Sequence, residues 1–209
     1  MELLLRTFVA TLTIAIVPIT PASPTQETAT TGVSEKSVLL LTPRLVFEKL
    51  QDESPLDPDK FGSTALGEQL TVAGEHYLHS KGFGINVAAT TLPEAATSIE
   101  KLQPMTGRLA RGSLTPELRT TLAEVANRVG PSLILAQYLR VRVGVKGYYG
   151  PSLAGAMSPG QSETLLAVAL IDPAKGMVVW KNELLARKVL KPGSEELEKA
   201  LSVLYGSSQ

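Results

Sequence analysis

Hydrophobic and polar residues change their spacing along this chain, and these changes separate strands from helices. Leu165–Ile171 is almost wholly apolar, which predicts a strand buried on both faces. The residues that follow, Asp172 to Gly176, have the composition of a tight turn. Beyond the turn the side chains alternate, and the two expected faces are Met177, Val179 and Lys181 against Val178, Trp180 and Asn182. We expect this hairpin to form the centre of the sheet.

Several other stretches carry helical signals. Ser63 can cap a helix that runs to about Lys81, and Gly82 follows as its stop. The clearest start is Thr115-Pro116-Glu117, where a capping side chain, a proline and an acid open a helix that ends at Gly130-Pro131. The remaining predicted segments are a short helix over Pro93–Leu102, a loop over Gln103–Leu114, and a helix over Glu195–Tyr205 capped by Ser194.

Apolar runs predict further strands over Ser37–Leu41, Ile85–Ala89 and Ser132–Val145. In the last of these, Tyr138, Arg140 and Arg142 alternate with apolar residues, so we expect the strand to leave the core and expose one face. Arg44–Leu50 fits either a strand extension or a short helix. The order β-α-β-α-β-β-β-α predicts an α/β (α+β) fold, with a single mixed, largely antiparallel sheet and helices packed on it.

The first residues have the pattern of an export signal. Arg6 precedes an apolar stretch, Thr7–Ile19, so residues 1–22 predict a signal peptide that is cleaved near Ala22. An uncleaved membrane anchor is the alternative. Residues 23–36 are rich in Thr, Ser, Pro and Glu, which predicts a disordered linker. The folded domain is expected over residues 37–209, in an exported, periplasmic or envelope-associated protein.

Composition excludes several kinds of site and partner. The chain of 209 residues carries 20 basic and 20 acidic side chains, so it has no overall charge to attract nucleic acid or anionic lipid. It contains no cysteine, which excludes disulfides, thiolate nucleophiles and Cys–zinc sites. Hydrophobic residues make up 44% of the chain, which is enough to build a core.

Two groups of side chains have some of the spacing of metal ligands. His76 and His79 share a face of the first predicted helix, but the zinc motif H-E-x-x-H is absent. Asp57, Asp59 and Glu68 match part of a calcium loop, in which Phe61 occupies a ligand position. We therefore predict no metal and no cofactor, and these five acidic and histidine residues are the candidates to check.

The glycine-rich connection that follows the long predicted strand lacks the Lys-Ser/Thr of a phosphate loop. It contains aromatic residues and a methionine, which are enriched at protein interfaces, and the arginine-bearing strand leads into it. A mobile hairpin tip and a solvated strand face are the alternatives. The expected partner-contact residues are Tyr148, Tyr149, Leu153, Met157, Arg140 and Arg142.

Four stretches together carry a family resemblance: Ser37–Leu41, Ser63–Leu70, Ala136–Val143 and the hairpin Leu170–Trp180. Their pattern resembles the α/β domain shared by bacterial envelope proteins such as the curli secretion subunit CsgG, the amino-terminal domain of TolB, and LpoB-like lipoprotein activators of peptidoglycan synthases. The resemblance implies a protein that is not an enzyme and that serves envelope assembly, secretion or transport through protein contacts. Many members are lipoproteins, whereas this chain lacks the cysteine needed for lipid attachment.

We therefore expect an exported, non-enzymatic envelope protein that acts as an interaction or assembly module in secretion, transport or cell-wall assembly. Its expected partners are envelope proteins and not nucleic acid, and both membrane proximity and a homo-oligomer are compatible with the sequence. The alternatives are a metal-dependent or glutamate-based hydrolase near His76 and His79, and a carrier that holds an apolar ligand between sheet and helices.

Overall fold

The structure, a computed structural model, describes residues 37–87, 95–130, 132–144 and 161–206. The predicted signal peptide (1–22) and linker (23–36) lie outside these residues. The described strands and helices belong to one compact unit that spans Ser34–Gln209. No helix within the described ranges is both long enough and apolar enough to cross a membrane.

The fold is a mixed sheet with helices packed on it, as the sequence predicts, and the described residues form six strands where the predicted order has five. The sequence left Arg44–Leu50 open between a strand and a short helix. The structure has a strand there, which pairs in parallel with the strand Leu133–Val143. The strands are β1 (Ser37–Leu40), β2 (Arg44–Lys49), β3 (Gly84–Val87), β4 (Leu133–Val143), β5 (Ser162–Asp172) and β6 (Met177–Ala186).

The centre of the sheet is β4, and not the β5–β6 hairpin that the sequence analysis placed there. β4 pairs in parallel with β1 and with β2, and antiparallel with β5. At the start of this arrangement, Ser37 Oγ and Ser132 Oγ lie 2.7 Å apart. The sheet order is β3-β1-β4-β5-β6, so β6 is an edge strand. Within the hairpin, only β5 has a neighbouring strand on each side, because β6 is the last strand in this order.

The helices are α1 (Ser63–Ser80), α2 (Ala96–Leu102), α3 (Thr106–Ala110), α4 (Pro116–Val129) and α5 (Glu195–Leu204). Two predicted caps are confirmed: Thr115 Oγ1 accepts from the Leu118 N–H, and Ser194 Oγ accepts from the Leu197 N–H. The predicted Ser63 cap is wrong, because Ser63 is already helical. Gly62 holds the cap position with φ 65° and offers no side-chain hydrogen bond.

The predicted loop over Gln103–Leu114 is wrong, because it contains a 3₁₀ turn, Gln103–Met105, and then α3. A glycine allows this helix to pack directly against the central strand. A Cβ placed on Gly107 would lie 2.8 Å from Cε2 of the Tyr138 ring. This contact joins residues far apart in the sequence, so local spacing gives no sign of it.

Two hydrophobic clusters cover the two faces of the sheet. One contains residues of α1 and α5, and the other contains residues of α2, α3 and α4. Residues of β5 alternate between them, which confirms that this strand is buried on both faces. In β6, Trp180 packs on the first cluster and Val178 on the second. The prediction of one shared face for these two residues fails, because a bulge opposite Leu170 and Ile171 shifts the register.

Candidate functional site

An open groove of about 920 Å³ lies between α1 and α5 on the first face of the sheet. Its lining is mostly apolar. Three residues of α1, two of α5 and the residue that follows α5 provide it: Val72, Ala73, Tyr77, Leu197, Leu201 and Tyr205. Val72 projects into solvent from α1, with 62% of its surface exposed. Concave apolar surfaces of this size are the usual form of a binding site for a ligand or a protein segment.

Stacked aromatic rings fix the floor of the groove. Tyr77 of α1 stacks on Trp180 of β6 with ring centroids 4.9 Å apart. Tyr205, which follows α5, lies 5.3 Å from Tyr77 and 6.5 Å from Trp180. The cluster therefore joins both groove helices to the edge of the sheet. Burial raises the pKa of Tyr77 and of Tyr205, so both rings stay neutral well above physiological pH.

Beneath this floor lies Gln137 of β4, a fully buried amide. Its Nε2 donates to the Leu70 carbonyl oxygen of α1 at 2.5 Å and also to the Tyr205 hydroxyl. Gly74 makes room for it, since a Cβ at that position would lie 2.6 Å from Nε2. The Gln137 Oε1 atom is buried without a hydrogen-bond partner among the described residues. The amide thus ties both groove helices to the central strand.

The charged groups on the groove walls are acidic. Glu68 of α1 and Glu198 of α5 both line it, together with the single imidazole of His76. Neither carboxylate forms an ion pair within the described part of the chain. The groove therefore offers an apolar floor with unneutralised negative charge on each side. This combination suits a ligand that has an apolar body and cationic groups.

The predicted contact residues Arg140 and Arg142 are largely covered, with side chains only 19% and 20% exposed. The pairing register explains why: β2 places Glu48 beside Arg142, and β5 places Glu163 on its other side. The expectation of an open basic face on β4 is therefore wrong. Tyr138, predicted on the same face, is also buried. A partner-contact role for the two arginines stays a prediction.

Acidic side chains neutralise this pair of arginines. Arg142 Nε lies 2.6 Å from Glu48 Oε1, its guanidinium also contacts Glu53, and Glu163 lies 3.8 Å away. Arg140 lies 3.8 Å from Glu48 and 3.9 Å from Glu163. Burial lowers the pKa of Arg142, but the Glu48 hydrogen bond and the three carboxylates outweigh it and raise that pKa. The cluster joins β2, β4 and β5 at one end of the sheet.

The other predicted contact residues lie outside the described ranges, so their role stays a prediction; they are Tyr148, Tyr149, Leu153 and Met157. The candidate metal ligands are described. His76 and His79 are both exposed on α1, and Asp57 Oδ1 accepts from the Asp59 N–H at the start of a 3₁₀ turn. No three His, Asp or Glu side chains gather to hold a metal ion in the ranges that the structure describes.

Sequence reasoning missed the groove itself. Its two walls are separated by more than half of the chain, so no local pattern joins them. One signal was present, because Val72 extends the apolar stripe of α1 beyond the width that a core face requires. A contiguous apolar surface is the feature that marks an interaction site, and Val72 contributes to one beside Ala73 and Tyr77.

No family model matches the chain, and no curated protein matches it. Among solved structures, the lipoprotein GNA1162 from Neisseria meningitidis is 12% identical, with a TM-score of 0.40 over 82% of this chain and 95% of that one. The LpoB C-terminal domain from Salmonella enterica is 15% identical, with a TM-score of 0.32 over 76% and 87%. The PelC dodecamer from Paraburkholderia phytofirmans is 13% identical, with a TM-score of 0.34 over 83% of each. Likenesses at these values carry no argument about function.

Proposed function

We propose that this chain is an exported envelope protein that works without catalysis, as an interaction or assembly module in secretion, transport or cell-wall assembly. The observation that carries the proposal is the apolar groove between α1 and α5, with a carboxylate on each wall that forms no ion pair with any residue the structure describes. A docking surface needs apolar area and a matching charge pattern, and this groove provides both. The sequence resemblance to envelope assembly proteins points in the same direction.

The occupant that fits this groove best is an amphipathic, basic helix of a partner protein. A third helix can bind in the groove between two helices when its apolar side chains pack into that groove. Glu68 and Glu198 would then meet lysine or arginine side chains at the edges of the apolar stripe. The fixed aromatic floor of Tyr77 and Tyr205 lowers the ordering cost of binding.

Titration with a designed helical peptide of leucine and lysine residues tests this proposal. Trp180, the only tryptophan, stacks against the groove residue Tyr77 and reports binding through its fluorescence. We expect micromolar binding, and we expect the double variant Glu68→Lys/Glu198→Lys to lose at least about tenfold in affinity. The same double variant should gain affinity for a peptide of leucine and glutamate. Equal affinity of both proteins for the basic peptide would contradict the assignment.

Two matched controls separate the groove from the rest of the surface. Val72→Asp should abolish peptide binding, whereas Val203→Asp should not, since Val203 is equally exposed, at 61% against 62%, but does not line the groove. Glu100→Lys changes the same charge on α2, which covers the other face of the sheet, and should leave the affinity unchanged.

A carrier of an apolar ligand is the second candidate, and the mostly apolar groove lining is the observation that favours it. Solvent extraction of the purified protein followed by mass spectrometry distinguishes the two candidates. A stoichiometric apolar molecule that competes with the basic peptide would favour the carrier. Export is tested separately: the mass of the exported protein should correspond to cleavage near Ala22, and a full-length mass would argue for an anchor.

A further inference from the structure

The exposed side chains of the edge strand β6 follow the order apolar, basic, acidic, apolar, so that apolar residues lie at both ends and opposite charges lie between them. Val179, Lys181, Glu183 and Leu185 follow one another at alternate positions and are all exposed. The two apolar members are 53% and 56% exposed, so a partner that covers them would remove apolar surface from water. Lys181 and Glu183 form no ion pair with any described residue. Within the described ranges, Lys181 Nζ donates one long hydrogen bond, of 3.4 Å, to the Arg111 carbonyl oxygen.

Such an order is complementary to itself in an antiparallel arrangement. If β6 of a second copy lies antiparallel beside β6, with Asn182 opposite Asn182, then Val179 lies opposite Leu185 and Lys181 opposite Glu183. Each apolar residue thereby meets an apolar residue, and each charge meets its opposite. Directly opposed pairs of this kind are the units that stabilise a sheet. Among the described strands only β5 pairs with β6, so the other edge of β6 is the one that can accept a strand.

Alternative registers with the same faces lack this match. If the second strand slides by two residues in one direction, Lys181 lies opposite Lys181. If it slides by two residues in the other direction, Glu183 lies opposite Glu183. Like charges that face each other directly destabilise a strand pair. The charges therefore select one register, which a nonspecific exposed edge would not do.

We propose that β6 pairs antiparallel with β6 of a second copy of this chain, in the register centred on Asn182, so that one continuous sheet runs through both copies. The regular pairs are Lys181 with Glu183 and Trp180 with Leu184, on either side of Asn182, whereas Val179 is the bulge residue, so its contact with Leu185 lies at the irregular end of the pairing. One local contact must open. The Glu183 N–H donates to Asn182 Oδ1 at 3.0 Å and would exchange this partner for the second strand.

Analytical ultracentrifugation of the full chain over about a hundredfold range of concentration tests the proposal. The unmodified protein should pass from monomer to dimer as the concentration rises. Lys181→Glu and Glu183→Lys should each remain monomeric, because each places like charges opposite one another across the dyad. The double variant Lys181→Glu/Glu183→Lys should dimerise again.

A mixture of the two single variants gives the sharpest result. Lys181→Glu offers two acids and Glu183→Lys offers two lysines, so an equimolar mixture should form a heterodimer although neither variant dimerises alone. A monomeric unmodified protein, or a mixture that fails to associate, would overturn the proposal. The groove variant Glu68→Lys/Glu198→Lys should dimerise normally, which separates this interface from the docking groove. Unchanged melting temperatures in the single variants exclude misfolding as the cause of their monomeric state.

Discussion

The Tyr77 ring lies on the Trp180 ring at a centroid distance of 4.9 Å and an interplanar angle of 18°. This stack connects a groove helix to the edge strand, so groove and edge share one structural support. We expect Tyr77→Ala to lower the free energy of unfolding by about 3 kcal/mol, since a large buried ring is lost. Urea denaturation followed by Trp180 fluorescence measures this. Tyr77→Phe keeps the ring and should cost less than about 1 kcal/mol; equal losses in both variants would contradict the stacking explanation.

Gly74 and Gln137 should show strong energetic coupling. Gly74→Ala places a methyl group against the Gln137 amide and should destabilise the protein by about 1–3 kcal/mol. In a Gln137→Ala background the contact at 2.6 Å is absent and only the Leu135 Cδ2 atom, at 3.2 Å, has to shift, so the same change should cost less than about 0.5 kcal/mol or be offset by helix propensity. A double-mutant cycle from urea denaturation gives the coupling energy. Additive effects of the two changes would contradict the close approach of α1 to β4.

The arginine–glutamate cluster should be worth more than an exposed ion pair. Arg142→Met removes the closest partner of the largely buried Glu48 and one of the two arginines beside Glu163, and we expect a loss of about 2–3 kcal/mol in unfolding free energy. Lys101→Met breaks the exposed pair with Glu124 and should cost less than about 1 kcal/mol. Chemical denaturation at low and high salt measures both losses. The Lys101 effect should fade in salt and the Arg142 effect should persist; equal losses would contradict a buried cluster.

Alkaline pH should destabilise the protein through Tyr205. Burial raises its pKa in the folded state, whereas an unfolded tyrosine loses its proton near pH 10. The stability linked to this group is therefore complete below about pH 10 and is lost as the pH rises towards the folded pKa. The unfolding free energy of Tyr205→Phe should fall less steeply above that pH, whatever its value at neutral pH. Urea denaturation from neutral to alkaline pH gives the two slopes, and identical slopes would contradict the burial of this hydroxyl.

Local chemistry predicted the parts of the fold that depend on neighbours in the sequence. The α4 start at Thr115 and Pro116 and the turn between β5 and β6 follow from capping and turn rules, and the structure confirms both. The α3 helix could not be predicted in this way, because the contact between Gly107 and Tyr138 keeps it in place. Tertiary packing decided that segment against its composition.

The candidate sites also depend on contacts between distant parts of the chain, which local sequence patterns do not reveal. Arg140 and Arg142 alternate as a solvated face would, but their environment depends on glutamates that other strands bring beside them. The sequence contains those glutamates without indicating the pairing. The groove also depends on two helices meeting across the sheet, and only the surplus apolar residue Val72 marked it in advance.

The arrangement around β4 has a consequence for how the polypeptide acquires its shape. Ser37 and Ser132 touch although 95 positions separate them, so β1 finds its central neighbour only after most of the chain has been synthesised. Until β4 has been synthesised, the backbone hydrogen-bonding groups of the amino-terminal segment have no β4 strand to pair with. Long-range pairing of this kind is slow to nucleate, and until it forms, aggregation-prone segments stay exposed. A chaperone that binds the nascent Ser37–Lys49 segment would therefore act at the step where this protein is most at risk.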